Sequence, residues 1–238
     1  MINERIDDLN LDGLKIIQNK DGYGFTSDSV LLANFVKAKN CNCVEIGTGS
    51  GIISILVNYK EKPKNIIAFE LQEAQAILAK KNVEINSMNS KIEVLNDKIQ
   101  NWKNYITYGS QDVVYTNPPY FKFDEKTCCD NEQRLISRSD KFLTLNELFE
   151  CTTSILKFGG KMFFIYDSNR MAECFLVMEK YNIRPKRIYF VHPNENKNSS
   201  VFLCEAIKGG KHHLEIMPPL FTNNLDGDYI QTIQKLYK

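Results

Sequence analysis

Apolar runs and helical periodicities alternate along the chain from residue 43 onward. The runs at 43–46, 66–70, 92–95, 112–116 and 161–166 have the length and apolar character of buried strands. Between and after them, apolar residues recur at helical spacing in 52–57, 72–87, 144–156 and 169–181. Gly159 and Gly160 indicate the end of the third helix. The alternation predicts an α/β fold, a mostly parallel sheet with helices on both faces.

The last two strand patterns break this rhythm. They lie at 187–191 and 201–205 and are joined by a polar loop without a helix, which suits an antiparallel hairpin at one edge of the sheet. With them the sheet has seven strands. Ahead of the first strand, Ser27 and Asp28 are suited to cap a helix with an apolar face. We therefore predict a helical lead-in over residues 1–40 and one compact unit over 41–238.

Composition is that of an ordinary globular protein. The 238 residues are 43% hydrophobic and 25% charged, which excludes a disordered or fibrous chain. The seven cysteines include no C-x-x-C pair, and Cys128 and Cys129 are adjacent, so we expect neither a disulfide framework nor a metal site. The N-terminus lacks the pattern of a signal peptide, and no stretch is long enough to span a membrane. We expect a cytoplasmic protein without a membrane partner or a stable protein partner.

Chemically distinctive residues follow the predicted strands. They are Gly47–Gly51 after the first strand, Glu70 at the end of the second, Asp97 after the third and Asn117–Tyr120 after the fourth. In an open parallel sheet, ligands bind beyond the carboxyl ends of the strands. The coincidence predicts a ligand site at that edge.

The first of these segments, Glu45-Ile46-Gly47-Thr48-Gly49-Ser50-Gly51, is a glycine-rich turn that lets a ligand approach the backbone closely. Ile52 stands where a dinucleotide fingerprint needs glycine, which disfavours an NAD oxidoreductase. Glu70 can accept hydrogen bonds from both hydroxyls of a ribose, and Asp97 can accept one from an adenine amino group. A tight turn, a solvated acid and a turn residue are the structural alternatives for the three features.

Asn117-Pro118-Pro119-Tyr120 is the most specific segment. Two prolines stiffen it, so the Asn117 side chain and the Pro118 carbonyl are aimed at little entropic cost. Two acceptors suit a planar NH2 group, and Tyr120 offers a flat face for stacking. Phe121 and Phe123 are further candidates for stacking, with core packing an equal alternative.

These residues resemble S-adenosylmethionine-dependent methyltransferases that act on amino groups. EIGTGSG looks like the cofactor loop of that family, Glu70 like its ribose acid, Asp97 like its adenine-contacting acid and NPPY like its amino-group clamp. The resemblance implies a Rossmann-like class I methyltransferase fold, with 41–238 as the catalytic domain and 1–40 contributing to the cofactor site. It implies direct methyl transfer to nitrogen, with acceptors stabilising the charge that builds there.

Further segments narrow the resemblance. Residues 23–32, 187–193 and 207–211 look like the bacterial valine-tRNA adenine-N6 methyltransferase family, which modifies the adenine next to the anticodon. The resemblance covers about 14–230. Ser139-Asp140 and the asparagine-rich loop 193–199 depart from the family pattern on the expected RNA side. The implied catalytic residues are Asn117, Pro118, Pro119 and Tyr120, and the implied cofactor-binding residues are Thr26, Ser27, Asp28, Glu45, Gly47, Thr48, Gly49, Gly51, Glu70, Leu71, Asp97, Lys98 and Asn117.

Charge is unevenly distributed although its sum is close to zero. The 30 Lys and Arg residues against 29 Asp and Glu give a net charge of +1, which argues against general polyanion binding. Segment 180–213, however, has seven basic residues and two acidic ones, a local excess of +5. We expect a tRNA substrate to contact this segment, with a solvated edge hairpin as the alternative.

Three other functions share these features. A protein glutamine-N5 methyltransferase and a ribosomal-RNA guanine-N2 methyltransferase both act on a planar NH2 group that suits NPPY. The first resembles this chain in both motifs but has a sizeable N-terminal helical domain, for which residues 1–40 leave no room. A non-catalytic RNA-binding module on the same fold is disfavoured by the presence of Glu70, Asn117 and Tyr120.

Overall fold

The computed structural model describes residues 4–19, 25–120 and 142–224. Its helices are α1 (Ser27–Phe35), α2 (Ile52–Glu61), α3 (Glu73–Ile85), α4 (Leu145–Ile155) and α5 (Met171–Lys180), with 3-10 helices at Ile99–Asn104 and Ser168–Arg170. Its strands are β1 (Glu4–Asp8), β2 (Lys15–Asn19), β3 (Asn42–Ile46), β4 (Asn65–Glu70), β5 (Ile92–Asn96), β6 (Gln111–Thr116), β7 (Leu156–Asp167), β8 (Ile183–His192), β9 (Val201–Lys208), β10 (Glu215–Ile216) and β11 (Leu220–Phe221).

The main sheet has the order β10-β8-β9-β7-β6-β3-β4-β5, with β11 also paired to β8. Strands β5, β4, β3, β6 and β7 are parallel neighbours, and β9 runs antiparallel to both β7 and β8. The predicted α/β fold with a mostly parallel sheet and an antiparallel hairpin is therefore confirmed. The hairpin folds back so that β9 lies inside the sheet. β8 lies next to β9 at the edge and is extended by the two-residue strands β10 and β11, so the sheet has nine strands and not the predicted seven.

Alternating side chains of the strands fill two cores, one on each face. Cys43, Tyr115 and Phe163 point to the face covered by α1, α2 and α3. Their neighbours in sequence, Val44 and Phe164 among them, point to the face covered by α4 and α5. A strand buried on both faces reads as a continuous apolar run, which is why the sequence identifies these strands.

The region ahead of β3 differs from the predicted helical lead-in. Residues 4–19 form the antiparallel hairpin β1–β2, and the helix covers Ser27–Phe35 alone. The hairpin is largely polar and packs against α3, so its strands lack the apolar alternation by which strands are recognised. The division into 1–40 and 41–238 stays a prediction.

The prediction that Gly159 and Gly160 end α4 is also wrong. The helix ends at Ile155, and Gly159 and Gly160 lie inside β7, where the register against β6 shifts. Gly159 has φ +78, a conformation that glycine adopts without strain. The pair therefore forms an irregularity in a strand and does not terminate the helix.

Candidate active site

The predicted site residues lie at one edge of the sheet. Strands β5, β4, β3 and β6 are adjacent and parallel, so the segments that follow them leave the sheet side by side. Ile46 and Thr116 are paired across β3 and β6, and the Thr116 hydroxyl donates a 2.8 Å hydrogen bond to the Ile46 carbonyl. Gly47 and Asn117 are the next residues. The glycine loop and NPPY therefore start from the same level of the sheet.

The glycine loop is fixed by the neighbouring strand. The amides of Gly47 and Thr48 both donate to the Phe69 carbonyl, at 2.9 and 3.0 Å. Gly47 and Gly49 have φ values of +72 and +56, and a Cβ atom at either would meet nothing within 4 Å. Glycine is needed here for the backbone conformation, and the loop surface above it is open to a ligand.

Glu70 is held at the foot of this loop. Its Oε2 accepts from the Gly49 amide at 2.8 Å and its Oε1 from the Gln72 amide at 2.9 Å. The residue is 6% exposed, and burial raises the pKa of its carboxyl group, an effect that the amide hydrogen bonds partly offset. Each carboxylate oxygen has two lone pairs, so capacity for a ligand hydroxyl remains.

Glu45 lies beneath the loop, on the sheet face that carries α2. Its Oε2 accepts from the Thr48 hydroxyl at 2.7 Å and from the Ser54 hydroxyl, which lies 2.9 Å from the Tyr115 hydroxyl. Its Oε1 is buried and has no hydrogen-bond partner in the described structure. Burial raises the pKa of Glu45 to about 8. The carboxyl group is therefore largely protonated at neutral pH.

Asp97 and Lys98 follow β5, but the Asp97 carboxylate is occupied by its own turn. It accepts from the Lys98 amide at 2.8 Å, from Asn101 Nδ2 at 2.7 Å and from the Tyr105 hydroxyl at 3.0 Å. In the described structure Asp97 thus supports the 3-10 helix that follows, and these three bonds leave acceptor capacity on its carboxylate for a ligand.

NPPY and the start of α1 meet through Tyr120. The Tyr120 hydroxyl donates to Asn117 Oδ1 at 2.5 Å and lies 3.4 Å from Asp28 Oδ2. Burial raises the pKa of Tyr120 well above its ordinary value, and Asp28 adds to the shift. Tyr120 is therefore a hydrogen-bond donor at physiological pH. Burial likewise raises the pKa of Asp28.

The capping role considered for Asp28 is wrong. Thr26 is the N-cap of α1, with no side-chain capping bond, and Ser27 and Asp28 are the first two helical residues. The Asp28 carboxylate instead faces NPPY.

Leu71, directly after Glu70, is 39% exposed, and its carbonyl accepts from Asn96 Nδ2 at 3.2 Å.

Arg170 braces the far end of NPPY. Its Nη1 donates to the Tyr120 carbonyl at 2.7 Å, and its guanidinium lies 5.3 Å from the centre of the Tyr166 ring. Tyr166 in turn packs edge-on against Tyr120 with ring centres 5.6 Å apart. Sequence reasoning missed Arg170, because no local motif connects it with a loop fifty residues away in the chain.

Several predictions fall on residues 20–24 and 121–141. Tyr23, Gly24, Phe121, Phe123, Cys128, Cys129 and Ser139-Asp140 lie outside the described residues. The five described cysteines are free thiols. Across the described ranges, no group of His, Cys, Asp and Glu side chains is arranged to hold a metal ion, and no helix has the length and apolar character needed to cross a membrane.

Comparison with known sequences gives a consistent result. The model of the methyltransferase small domain family matches residues 25–181. A tRNA1(Val) (adenine(37)-N6)-methyltransferase of Photobacterium profundum is 28% identical over 187 residues, 77% of each chain. A protein of the same name from Bacteroides thetaiotaomicron is 32% identical over 136 residues, 56% of this chain and 55% of its own length.

Comparison with solved structures agrees on the fold. A predicted O-methyltransferase of Agrobacterium tumefaciens has a TM-score of 0.69 at 20% identity, covering 88% of this chain and 95% of its own. A tRNA m1G37 methyltransferase of M. jannaschii has a TM-score of 0.60 at 14% identity, covering 88% of this chain and 55% of its own. At these identities the likeness establishes the architecture alone.

Proposed function

The chain belongs to the methyltransferase small domain family, and we propose that it transfers a methyl group from S-adenosylmethionine to the N6 amino group of an adenine in tRNA. The relatives named as tRNA1(Val) (adenine(37)-N6)-methyltransferases support the adenine next to the anticodon of a valine tRNA as the target. The observation that carries the proposal is the Thr116–Ile46 hydrogen bond. It holds the start of NPPY beside the glycine loop, which supports methyl transfer between a cofactor on that loop and an amino group at NPPY.

The residues present fit the cofactor. The open surface above Gly47 and Gly49 accommodates a close backbone approach, and Glu70 offers carboxylate lone pairs to ribose hydroxyls. Glu45 is largely protonated at neutral pH, so its buried, unpartnered Oε1 can donate a hydrogen bond beneath the loop. Thr26–Asp28 at the start of α1 and Leu71, Asp97 and Lys98 beyond β4 and β5 complete the proposed binding set. Bound S-adenosylmethionine supplies a methyl group on a positively charged sulfur.

Asn117 and Pro118 hold the amino group that is methylated. The nitrogen lone pair of an adenine amino group is delocalised into the ring, so the group is a poor nucleophile. Asn117 Oδ1 and the Pro118 carbonyl each accept a hydrogen bond from one N–H of this amino group. They thereby stabilise the positive charge that develops on nitrogen. Asn117 Oδ1 already accepts from Tyr120, and its second lone pair remains for the substrate. The Tyr120 ring then stacks on the base.

One part of segment 180–213, the loop between β8 and β9, lies near the proposed site. The loop between β8 and β9 lies at the carboxyl end of β8, and the Ser168 hydroxyl, just after β7, is 2.7 Å from that of Ser199. Two residues later, Arg170 bonds to Tyr120. Lys197 is exposed in this loop, so we assign the tRNA contact of the segment to it. With a tRNA substrate, we infer a cytoplasmic location.

The test is methyl transfer from labelled S-adenosylmethionine to total unmodified tRNA, followed by mapping of the labelled nucleoside. N6-methyladenosine in a valine tRNA is the expected product. Asn117→Ala should bind the cofactor nearly as well as wild type and transfer methyl ~10² times more slowly, because it loses an acceptor aimed at developing charge. Label in another nucleoside, or unchanged turnover in Asn117→Ala, would contradict the assignment.

A further inference from the structure

Two asparagines four residues apart, Asn82 in α3 and Asn86 at its C-cap, hold the N-terminal hairpin. Asn86 accepts from the Lys15 amide at 2.9 Å and donates to the Lys15 carbonyl at 2.7 Å. Asn82 accepts from the Ile17 amide at 2.6 Å and donates to the Ile17 carbonyl at 3.0 Å. Each side-chain amide thus pairs with one residue of β2 as a neighbouring strand would.

The spacing of the two elements explains this match. Four helical residues advance about 6 Å, and two strand residues advance about 6.6 Å. Side chains at positions 82 and 86 therefore stay in step with Lys15 and Ile17. These two residues of β2 present their amides and carbonyls away from β1, so the asparagines satisfy an otherwise open strand edge.

Asn82 makes one contact that Asn86 does not. The second hydrogen of its Nδ2 goes to the Ser50 carbonyl in the glycine loop, at 2.9 Å. Ala79, three residues earlier on α3, lies against the end of that loop, where a Cβ on Gly51 would be 3.4 Å from the Ala79 Cβ. Asn82 is fully buried, and its oxygen and both amide hydrogens are used.

The same strand reaches the other wall of the proposed cofactor site. Gln18 of β2 is 4% exposed, and its Oε1 accepts from the Phe25 amide at 2.9 Å. Phe25 directly precedes Thr26 and the start of α1, whose Asp28 faces Tyr120. A continuous set of hydrogen bonds therefore runs from Ser50 through Asn82, β2 and Gln18 to Phe25.

We propose that Asn82 is a positioning residue for the cofactor, which fixes the glycine loop relative to the N-terminus of α1 by binding Ser50 and β2 at once. The proposal deepens the proposed function and rests on it. Without the side-chain amide, the Ser50 carbonyl loses its donor and the loop is no longer tied to β2. The geometry that receives the cofactor is then less well defined, while the acceptors of NPPY, which hold the target amino group, are untouched.

The experiment compares Asn82→Ala with Asn86→Ala, which loses similar bonds to the same strand and none to the loop. Affinity for S-adenosylmethionine is measured by calorimetry without tRNA, below the melting temperature of every variant, and kcat and KM follow with tRNA. For Asn82→Ala we expect the affinity for S-adenosylmethionine to fall about tenfold and the KM for S-adenosylmethionine to rise about tenfold. This is the scale of one buried hydrogen bond. Its kcat at saturating cofactor should stay within about twofold of wild type. Asn86→Ala should keep wild-type cofactor affinity.

Gln18→Ala is the second variant, because Asn82→Ala replaces a fully buried side chain. It breaks the bond to Phe25 at the other end of the same path, together with the bond from Gln18 to Asp7 within the hairpin, and weaker cofactor binding is expected here too. Where Asn82→Ala does not fold, Gln18→Ala decides the question alone. Unchanged affinity in the deciding variant, or an equal loss in Asn86→Ala, overturns the positioning role. A wild-type protein that does not bind S-adenosylmethionine would instead contradict the proposed function.

Discussion

Glu45 illustrates how one residue links the chemistry of the site to the stability of the fold. Its carboxyl group is fully buried and has a pKa of about 8, against an ordinary 4.5. The folded protein therefore keeps this proton between about pH 4.5 and 8, whereas the unfolded chain releases it. Because the folded state binds more protons, the free energy of unfolding falls as the pH rises through this range.

Glu45→Gln should reduce this pH dependence. The amide cannot ionise, so the contribution of Glu45, up to about 1.4 kcal/mol per pH unit, disappears from the slope. Urea unfolding at pH 5, 6, 7 and 8 measures the effect, and the variant should gain stability relative to wild type as the pH rises. Parallel stability curves for the two proteins would show that Glu45 does not carry the shifted pKa.

Individual site residues were predictable to the extent that their role is local. The glycine loop and NPPY are short segments, and Glu70 is a single residue at the end of a strand. Their residue types alone indicate a backbone conformation or a chemical group. Asn82 and Arg170 escaped prediction because their partners, Ser50 and Tyr120, are distant in the chain. An asparagine inside a helix carries no sign of which loop it will meet.

At the scale of elements, α4 is specified by its own first turn. The Thr144 hydroxyl accepts from the Glu147 amide at 3.3 Å, and Glu147 Oε2 accepts from the Thr144 amide at 2.8 Å. This capping box begins a helix whose buried residues face the core opposite α2 and α3. Its buried residues belong to the core on the opposite face of the sheet from α2, so we expect its stability and cofactor binding to be separable.

Thr144→Ala should cost about 1 kcal/mol of unfolding free energy, the usual value for an N-cap, and leave affinity for S-adenosylmethionine unchanged. Chemical denaturation and calorimetry provide the two measurements. Glu147→Gln, which keeps an acceptor at the same position, is the matched control and should cost less. A weakened cofactor affinity in Thr144→Ala would mean that α4 influences the site after all.

The seven longer strands of the main sheet were predicted, whereas its short strands β10 and β11 and the hairpin 4–19 were not. The inner strands of the sheet are buried on both faces and stand out as apolar runs, as Val113–Tyr115 does. β1 is polar and mostly exposed, and the outer edge of β2 is satisfied by the side chains of Asn82 in α3 and Asn86 at its C-cap. A strand that exists through contacts with a distant helix cannot be read from its own residues.

At the scale of the whole molecule, the basic segment 180–213 divides between opposite ends of the sheet. Lys208 lies at the amino edge of the sheet, the edge at which the parallel strands begin, and donates to the carbonyls of Thr153 and Leu156. Arg184 pairs with Glu179 at 2.8 Å near the same edge. These cations support the fold. Lys197 lies at the other end, in the loop beside the proposed site, and the sequence could not separate the two groups because they are adjacent along the chain.

Lys197→Ala should therefore weaken tRNA binding. It should also make the negative slope of log K against log salt shallower by about 1, as expected for the loss of one phosphate contact. Lys211→Ala, an exposed lysine beyond the amino-edge end of β9, should leave that slope unchanged. Filter binding at several salt concentrations distinguishes the two variants. The reverse pattern would place the tRNA across the amino edge of the sheet.

The position of β9 also determines when the sheet can be completed during synthesis. β9 pairs with β7 on one side and β8 on the other, although it is made after both. Until Val201–Lys208 has left the ribosome, the long edge of β7 has no strand beside it and the apolar side chains of β8 have no place in the sheet. At roughly 5–20 residues per second, the wait from β7 to β9 is a few seconds. During that interval the nascent chain exposes the strand edge at which association with another chain is easiest.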